Sequence, residues 1–458
     1  MTLRPFLLGS HLLAAVATWF VVGTIPSPAA PAEQNWPNWR GPLANGVAPA
    51  ATPPLTWSET NNIKWKVPIP GVGQASPIIW DDRIFLLTAV NTGRQPEVLQ
   101  ETVTSSTNTT GEARTRERRM THQPTEVYQF VLLCLDRESG RTLWQRVANE
   151  LLPHEGYYLN NASFASGSAV TDGQHVFAYF GSRGLYCYDL RGNLKWEKAL
   201  GQMQVHEGFG EGSSPALWGN TVVVTWDHTG DDFIVALDKT TGRELWRQPR
   251  DEYASWATPF IVQHGARTEV VTPATAKARS YDLATGELLW ECSGLGELAI
   301  PTPVTGHGMV YLMTGYRESS LLAIRLGRSG DLTGTDAIVW SLNRNTPYVA
   351  SPMLYGDRLY ILKSRNGILS CYDARTGQPH YEEERLEGLS AVWASPVAAA
   401  DRVYHMSRNG TAVVIRHSDR LEVLATNKLE DGDGFDASPA LVGNQIFIRG
   451  PKHLYCIE

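Results

Sequence analysis

The stretch Ala236-Leu-Asp-Lys-Thr-Thr-Gly-Arg-Glu-Leu-Trp246 decides the fold. Read chemically, it is the end of a strand, a tight turn and the start of another strand. The Asp and Thr side chains bond turn backbone groups, Gly supplies a positive φ, and Trp brings a flat apolar face. Close copies run from Ser280 to Trp290, Cys134 to Trp144 and Cys371 to Tyr381, and a copy one residue shorter runs from Cys187 to Trp196. Ahead of this motif, a Ser/Thr-Pro pair heads an apolar strand at Ser76-Pro77, Ser214-Pro215, Thr258-Pro259, Thr302-Pro303, Ser351-Pro352, Ser395-Pro396 and Ser438-Pro439. Ser168-Ala169 stands as a degenerate eighth copy. Successive copies lie 43 to 49 residues apart, except for the first interval of 92. A period in the mid-forties is that of a four-stranded propeller blade, so the expectation is an all-β, eight-bladed β-propeller.

The two ends predict how the ring closes. The last copy ends at Glu458 with room for three strands and no Thr-Gly turn or Trp, whereas Asn62 to Pro68 reads as an unattached strand carrying Trp65. Trp65 precedes Pro77 by 12 residues, as Trp340 precedes Pro352, so the N-terminal strand should complete the last blade and remove an exposed edge. The propeller is placed at 57–458, with a polar insertion at 91–126 that reads as a mobile loop and an N-terminal arm at 33–56. Residues 1–32 read as a signal peptide: Arg4, an apolar run from Leu12 to Ile25 and the small-x-small Ala30-Pro31-Ala32. The expected location is periplasmic or secreted, with an uncleaved anchor as the other reading and no span after cleavage.

The 458 residues carry 40 Lys+Arg against 47 Asp+Glu, and 42% are hydrophobic, which excludes a disordered chain and disfavours nucleic acid as a partner. Of the five cysteines, Cys134, Cys187, Cys371 and Cys456 occupy the small-residue position of the motif in different blades. They are too far apart to bridge, and with Cys292 they are expected as free thiols.

Strand order sorts the loops onto two faces, with the Asp-x-x-Thr-Gly turns on one. The other, the mouth, receives the loops entering each inner strand. There, His154-Glu155-Gly156 and His206-Glu207-Gly208 sit in loops entering adjacent blades. They are either solvated loop residues or a site built from imidazole and carboxylate. The continuation Gly-Phe-Gly-Glu after Glu207 lacks the second His of a zinc-protease helix, and no metal is expected. Arg183, Arg365 and Arg408 occupy matching Ser-Arg turns. They are either turn residues reaching solvent or a positive rim able to take carboxylate or phosphate.

These motif copies resemble the PQQ-like repeat β-propellers over essentially all of the chain beyond the signal. Trp36-Pro-Asn-Trp-Arg-Gly-Pro42 resembles the N-terminal arm of exported bacterial members. The resemblance implies the superfamily of quinoprotein alcohol dehydrogenases and of the propeller lipoprotein of the outer-membrane β-barrel assembly machinery. It does not choose between their functions. In the dehydrogenases, pyrroloquinoline quinone stacks between a Trp and a disulfide of adjacent cysteines, beside a calcium ion. This chain has no Cys-Cys pair and no haem Cys-x-x-Cys-His, so no cofactor is expected. The reading is a monomeric, non-catalytic binding or scaffold propeller whose mouth takes a protein partner or an anionic small molecule or glycan. A quinoprotein-like oxidoreductase with an atypical site is the alternative, and a hydrolase or lyase at the His/Glu-lined mouth the third.

Overall fold

A computed structural model describes residues 1–2, 31–96, 121–275, 277–363 and 367–458. Residues 3–30 of the signal segment, the centre of the 91–126 insertion and Arg365 lie outside the described residues. Within the described part of that insertion, Thr121–His122 is a short strand paired with Tyr157–Tyr158.

Eight sheets of four antiparallel strands succeed one another along the chain and form the eight-bladed propeller. Blade 3 shows the unit: Ala216–Trp218 innermost, then Thr221–Trp226, Phe233–Asp238 and the outer Glu244–Pro249. The middle strands are almost wholly buried on both faces, which explains their continuous apolar runs, such as Val222-Val-Val224. Outer strands alternate exposed and buried residues, as Glu244–Pro249 does.

The repeated motif joins one blade to the next. Each Trp stands opposite a small residue of its own blade: Trp144 opposite Cys134, Trp246 opposite Ala236, Trp340 opposite Ala323. That gap leaves the indole free to lean onto the turn of the following blade. The Trp246 Nε1–H donates to the Leu283 carbonyl at 2.8 Å, and its ring covers Gly286 so closely that a Cβ there would lie 2.6 Å from it. Gly286 is therefore required twice, by its φ of +76° and by the ring above it. Trp144, Trp196 and Trp340 repeat the donation to Leu190, Lys239 and Ala374. Trp290 departs from the pattern because blade 5 replaces the Thr-Gly turn with a longer excursion. Its Nε1–H bonds Glu269 of its own blade, and Gly330–Asp331 adds a parallel strand beside it.

Closure is as the ends predict. Ile63–Pro68 pairs antiparallel with His453–Ile457, placing Trp65 opposite Cys456, and the Trp65 Nε1–H reaches the Arg137 carbonyl of blade 1 at 3.1 Å. All five cysteines are buried free thiols.

At the head of each inner strand lies a feature that the spacing alone does not reveal. The backbone N–H of Ser76 donates to the Ser168 hydroxyl, Ser168 to Ser214, Ser214 to Thr258 and Thr258 to Thr302. The chain continues from Thr302 to Ser351, Ser351 to Ser395, Ser395 to Ser438, and Ser438 back to Ser76. Eight bonds of 2.8 to 3.3 Å make an unbroken belt round the central channel.

Trp65→Ala removes the inter-blade hydrogen bond and the ring packed on Gly140 at the seam. The expected cost is about 3 kcal/mol, read as a lower denaturation midpoint in urea with an unchanged slope. A midpoint equal to the wild type's would refute closure by this strand.

Candidate functional site

The N-terminal arm crosses one end of the channel. Trp36 exchanges backbone hydrogen bonds with Ile79, the Pro37 carbonyl accepts from Thr171, and Ala48 bonds Ala398, all towards the downstream ends of inner strands. Those ends lie opposite the mouth, because the mouth loops enter the same strands upstream. Arg40 ties the arm down from within: its guanidinium donates to the carbonyls of Pro352 and Pro396, in blades 6 and 7, and to Asn45. Burial without a carboxylate pulls its pKa down to about 9. The neighbouring Trp39 donates from Nε1 to the belt hydroxyl of Thr258 at 3.2 Å. The arm thus turns the channel into a cup with Trp39 in its floor.

The cup has a volume of about 230 Å³. Its wall carries belt hydroxyls, and above them stands one residue from each blade, two positions before the belt Ser/Thr. In chain order these are Gln74, Ser166, Gly212, Trp256, Ile300, Val349, Trp393 and Asp436, and all eight line the cup. The period of two along an extended strand gives them this shared direction. The wall is consequently two-sided. Blades 4 to 7 present Trp, Ile, Val and Trp, while blades 8, 1 and 2 present Asp, Gln and Ser. Aromatic contacts extend both Trp corners: Phe209 lies between Tyr158 and Trp256, and Tyr348 between Tyr316 and Trp393. On the polar side the Gln74 amide donates to Asp436 at 3.0 Å and accepts from the Ser166 hydroxyl at 3.2 Å.

The arginines read either as turn residues reaching solvent or as a positive rim are bound by carboxylates at the two described positions, Arg183 and Arg408. Arg183 is only 4% exposed, pairs with Glu211 at 2.6 Å, and lies over the rings of Phe130 and Phe164. The other Glu211 oxygen accepts the Ser182 N–H at 2.6 Å and fills the space where a Cβ on residue 181 would stand, so Gly181 is needed there. Arg408 grips Asp436 with two bonds, 2.6 and 3.0 Å, over the Trp393 ring, and also holds the Asn160 carbonyl. Burial pushes the Asp436 carboxyl pKa up, and the Arg408 guanidinium opposes that shift. These guanidinium groups neutralise buried carboxylates instead of projecting a free positive field.

The His/Glu loops do meet, but through backbone. The Glu155 carboxylate accepts the Val205 N–H at 2.9 Å, and burial raises its pKa despite that bond. His154 Nε2 contacts the Met203 carbonyl at 2.8 Å, and His206 Nδ1 the Tyr253 hydroxyl at 2.7 Å. Glu207 sits at φ 48°, exposed, with its carboxylate 3.7 Å from the His206 Nε2. Neither His154 nor His206 lines the cup, and no cluster of three His, Cys, Asp or Glu able to hold a metal occurs among the described residues.

A family model described as outer membrane protein assembly factor BamB matches residues 129–293 and 230–458, well over half of the chain. The chain belongs to that family. BamB from Moraxella catarrhalis shares 14% identity with it at a TM-score of 0.52, over 74% of this chain and 92% of that one. A quinohemoprotein alcohol dehydrogenase from Comamonas testosteroni shares 10% at 0.58, over 92% and 80%. The computationally designed Ika8 protein shares 14% at 0.51, over 74% and 97%. At such identities these likenesses establish the PQQ-like propeller fold alone. No curated protein matches the chain.

The pairing of Arg183 with Glu211 has a measurable consequence. Arg183→Ala strands a carboxylate at 10% exposure and should cost about 3–5 kcal/mol in urea unfolding, with part recovered in the double change Arg183→Met, Glu211→Leu. A rim arginine reaching solvent would give a loss close to zero.

Proposed function

We propose that the protein is an exported, non-catalytic binding propeller that receives its ligand or partner at the mouth of the ring. One observation carries this reading: the arm crosses one end of the channel, and the other end forms a cup lined by half-buried aromatic side chains and the hydroxyls of the belt. Concave, mostly apolar sites with a few placed polar groups are what ligand binding uses. Membership of a family described by an outer-membrane assembly factor supports a binding role over a catalytic one. The apolar run and small-x-small site near the N-terminus support export. Among the described residues no helix is long and apolar enough to cross a membrane.

The quinone cofactor implied by the dehydrogenase neighbours does not fit the side chains that line the cup. A tricarboxylate quinone needs free cations or a metal to balance it. Arg408 is already bound bidentately by Asp436, and Arg183 by Glu211. The cysteines that would make a stacking disulfide are missing: all five are single residues buried in strands.

Selective blocking of the mouth tests the proposal. Burial lifts the thiol pKa of Cys134, Cys187, Cys371 and Cys456 to about 12 and of Cys292 to about 11, so the native cysteines should resist maleimide in the folded protein. A bulky maleimide on Asn161→Cys should then abolish the thermal-shift responses of the protein to a library of small molecules and envelope peptides. The same label on Thr240→Cys, in an opposite-face turn, should leave them intact. Equal responses from the two labelled proteins, or a quinone absorbance band in protein from its native host, would overturn the reading.

A further inference from the structure

We infer that the cup takes a neutral, polyhydroxylated ring, a single sugar residue or the end of a neutral glycan. The inference rests on the binding reading above and names the ligand class for the same site. Three observations lead to it.

The first is the two-sidedness of the wall. Trp256, Ile300, Val349 and Trp393 make one continuous apolar arc, and Trp39 adds an aromatic surface from below. Facing that arc, Asp436, Gln74 and Ser166 form a hydrogen-bonded polar edge. A ligand matching both sides needs a C–H face and a rim of hydroxyls on one small ring, and a pyranose has both. A flat aromatic ligand would leave the polar arc unmet, and an aliphatic one would desolvate it without return.

The second is the directionality of the polar groups. A sugar hydroxyl both donates and accepts, so it needs partners of both kinds close together. The polar side supplies an amide at Gln74, a hydroxyl at Ser166 and a carboxylate at Asp436. Asn161 adds a second amide at the rim, where its carbonyl oxygen stands 3.5 Å from Arg408.

The third is charge. The two carboxylates of the cup, Glu211 and Asp436, are both ion-paired, to Arg183 and Arg408. A charged ligand would have to compete with a pair already formed, whereas a neutral one leaves both pairs intact and gains polar atoms held in fixed orientation. Size agrees: about 230 Å³ lies below the range of roughly 300–1,000 Å³ that accepts drug-sized molecules, so the cup admits one ring.

The test is a glycan array of neutral and acidic glycans probed with the full mature protein, followed by tryptophan-fluorescence titration. The titrated probes are methyl glucoside, methyl galactoside and N-acetylglucosamine, alongside glucuronate, choline and an acidic peptide. The inference expects at least one neutral glycan to bind. Its affinity should fall at least about tenfold in Trp393→Ala and in Trp256→Ala. It should change little between about 0.05 and 0.5 M salt, since no net charge is matched. Asn161→Ala, in a loop outside the blades, should also weaken binding and guards against a Trp variant that loses its fold. Failure of every neutral glycan overturns the inference, as does neutral binding that ignores all three variants. If glucuronate, choline or the peptide binds in a Trp393-dependent manner while sugars do not, the sugar class falls and the cup remains a binding site. If no probe of any class binds, the mouth reading falls with it.

Discussion

Eight backbone N–H groups, each donating to the hydroxyl of the next blade's Ser or Thr, hold the centre of this molecule together. Inner strands of a propeller converge where there is no room for a fifth strand, so their channel-side backbone needs another partner. The belt provides it with one side chain per blade. The Pro that follows lacks an N–H and so needs no acceptor at that position. At Ser168 the Pro has become Ala but the hydroxyl remains, which shows which half of the dipeptide the ring requires. The last bond, from Ser438 to Ser76, joins the two ends of the chain, as the strand Ile63–Pro68 does at the outer edge of the same blade.

Around the belt, two devices set the distance between blades. On the outside, the Trp of one blade covers the turn glycine of the next, and the small residue opposite the Trp gives the ring space to do so. Near the seam, Arg449 of blade 8 donates to the carbonyls of Ala75 and Leu87 in blade 1, buried without a carboxylate and with its pKa pulled down to about 9. Arg40 repeats this chemistry in the arm that closes the channel floor. Both arginines direct their donors to backbone carbonyls of other segments, and of these Ala75, Pro352 and Pro396 lie outside the strands. The cup is a product of the same constraint: the belt sets its diameter, and the arm gives it a bottom.

Much of this was legible from the sequence because it repeats. The Ser/Thr-Pro spacing, the turn motif and the unmatched strand at 62–68 each follow from a period that packing enforces. The cup was less legible because its residues are what the repeat leaves free to vary. The position two before each belt Ser/Thr is Gln, Ser, Gly, Trp, Ile, Val, Trp and Asp in turn, with no shared chemistry to flag it. Strand alternation from the Ser/Thr would have pointed to it. The mouth arginines show the opposite difficulty. Arg183 and Arg408 were visible as a pattern, but their partners Glu211 and Asp436 come from loops 28 residues downstream, beyond the reach of a local motif. Gly181 was the one local sign, since a glycine before Ser182-Arg183 marks a close approach by something bulky, here the Glu211 carboxylate.

The belt is tested most directly at its degenerate copy, by comparing Ser168→Thr with Ser168→Ala. The Thr change keeps the acceptor and should leave stability close to the wild type's. The Ala change leaves the buried Ser76 N–H without a partner, which should cost about 1–3 kcal/mol. It should also accelerate hydrogen exchange at the Ser76 amide, while amides in the outer strand of the same blade stay protected. If Ser168→Ala unfolds at the same urea concentration as Ser168→Thr and the Ser76 amide stays equally protected in both, the belt does not hold the ring.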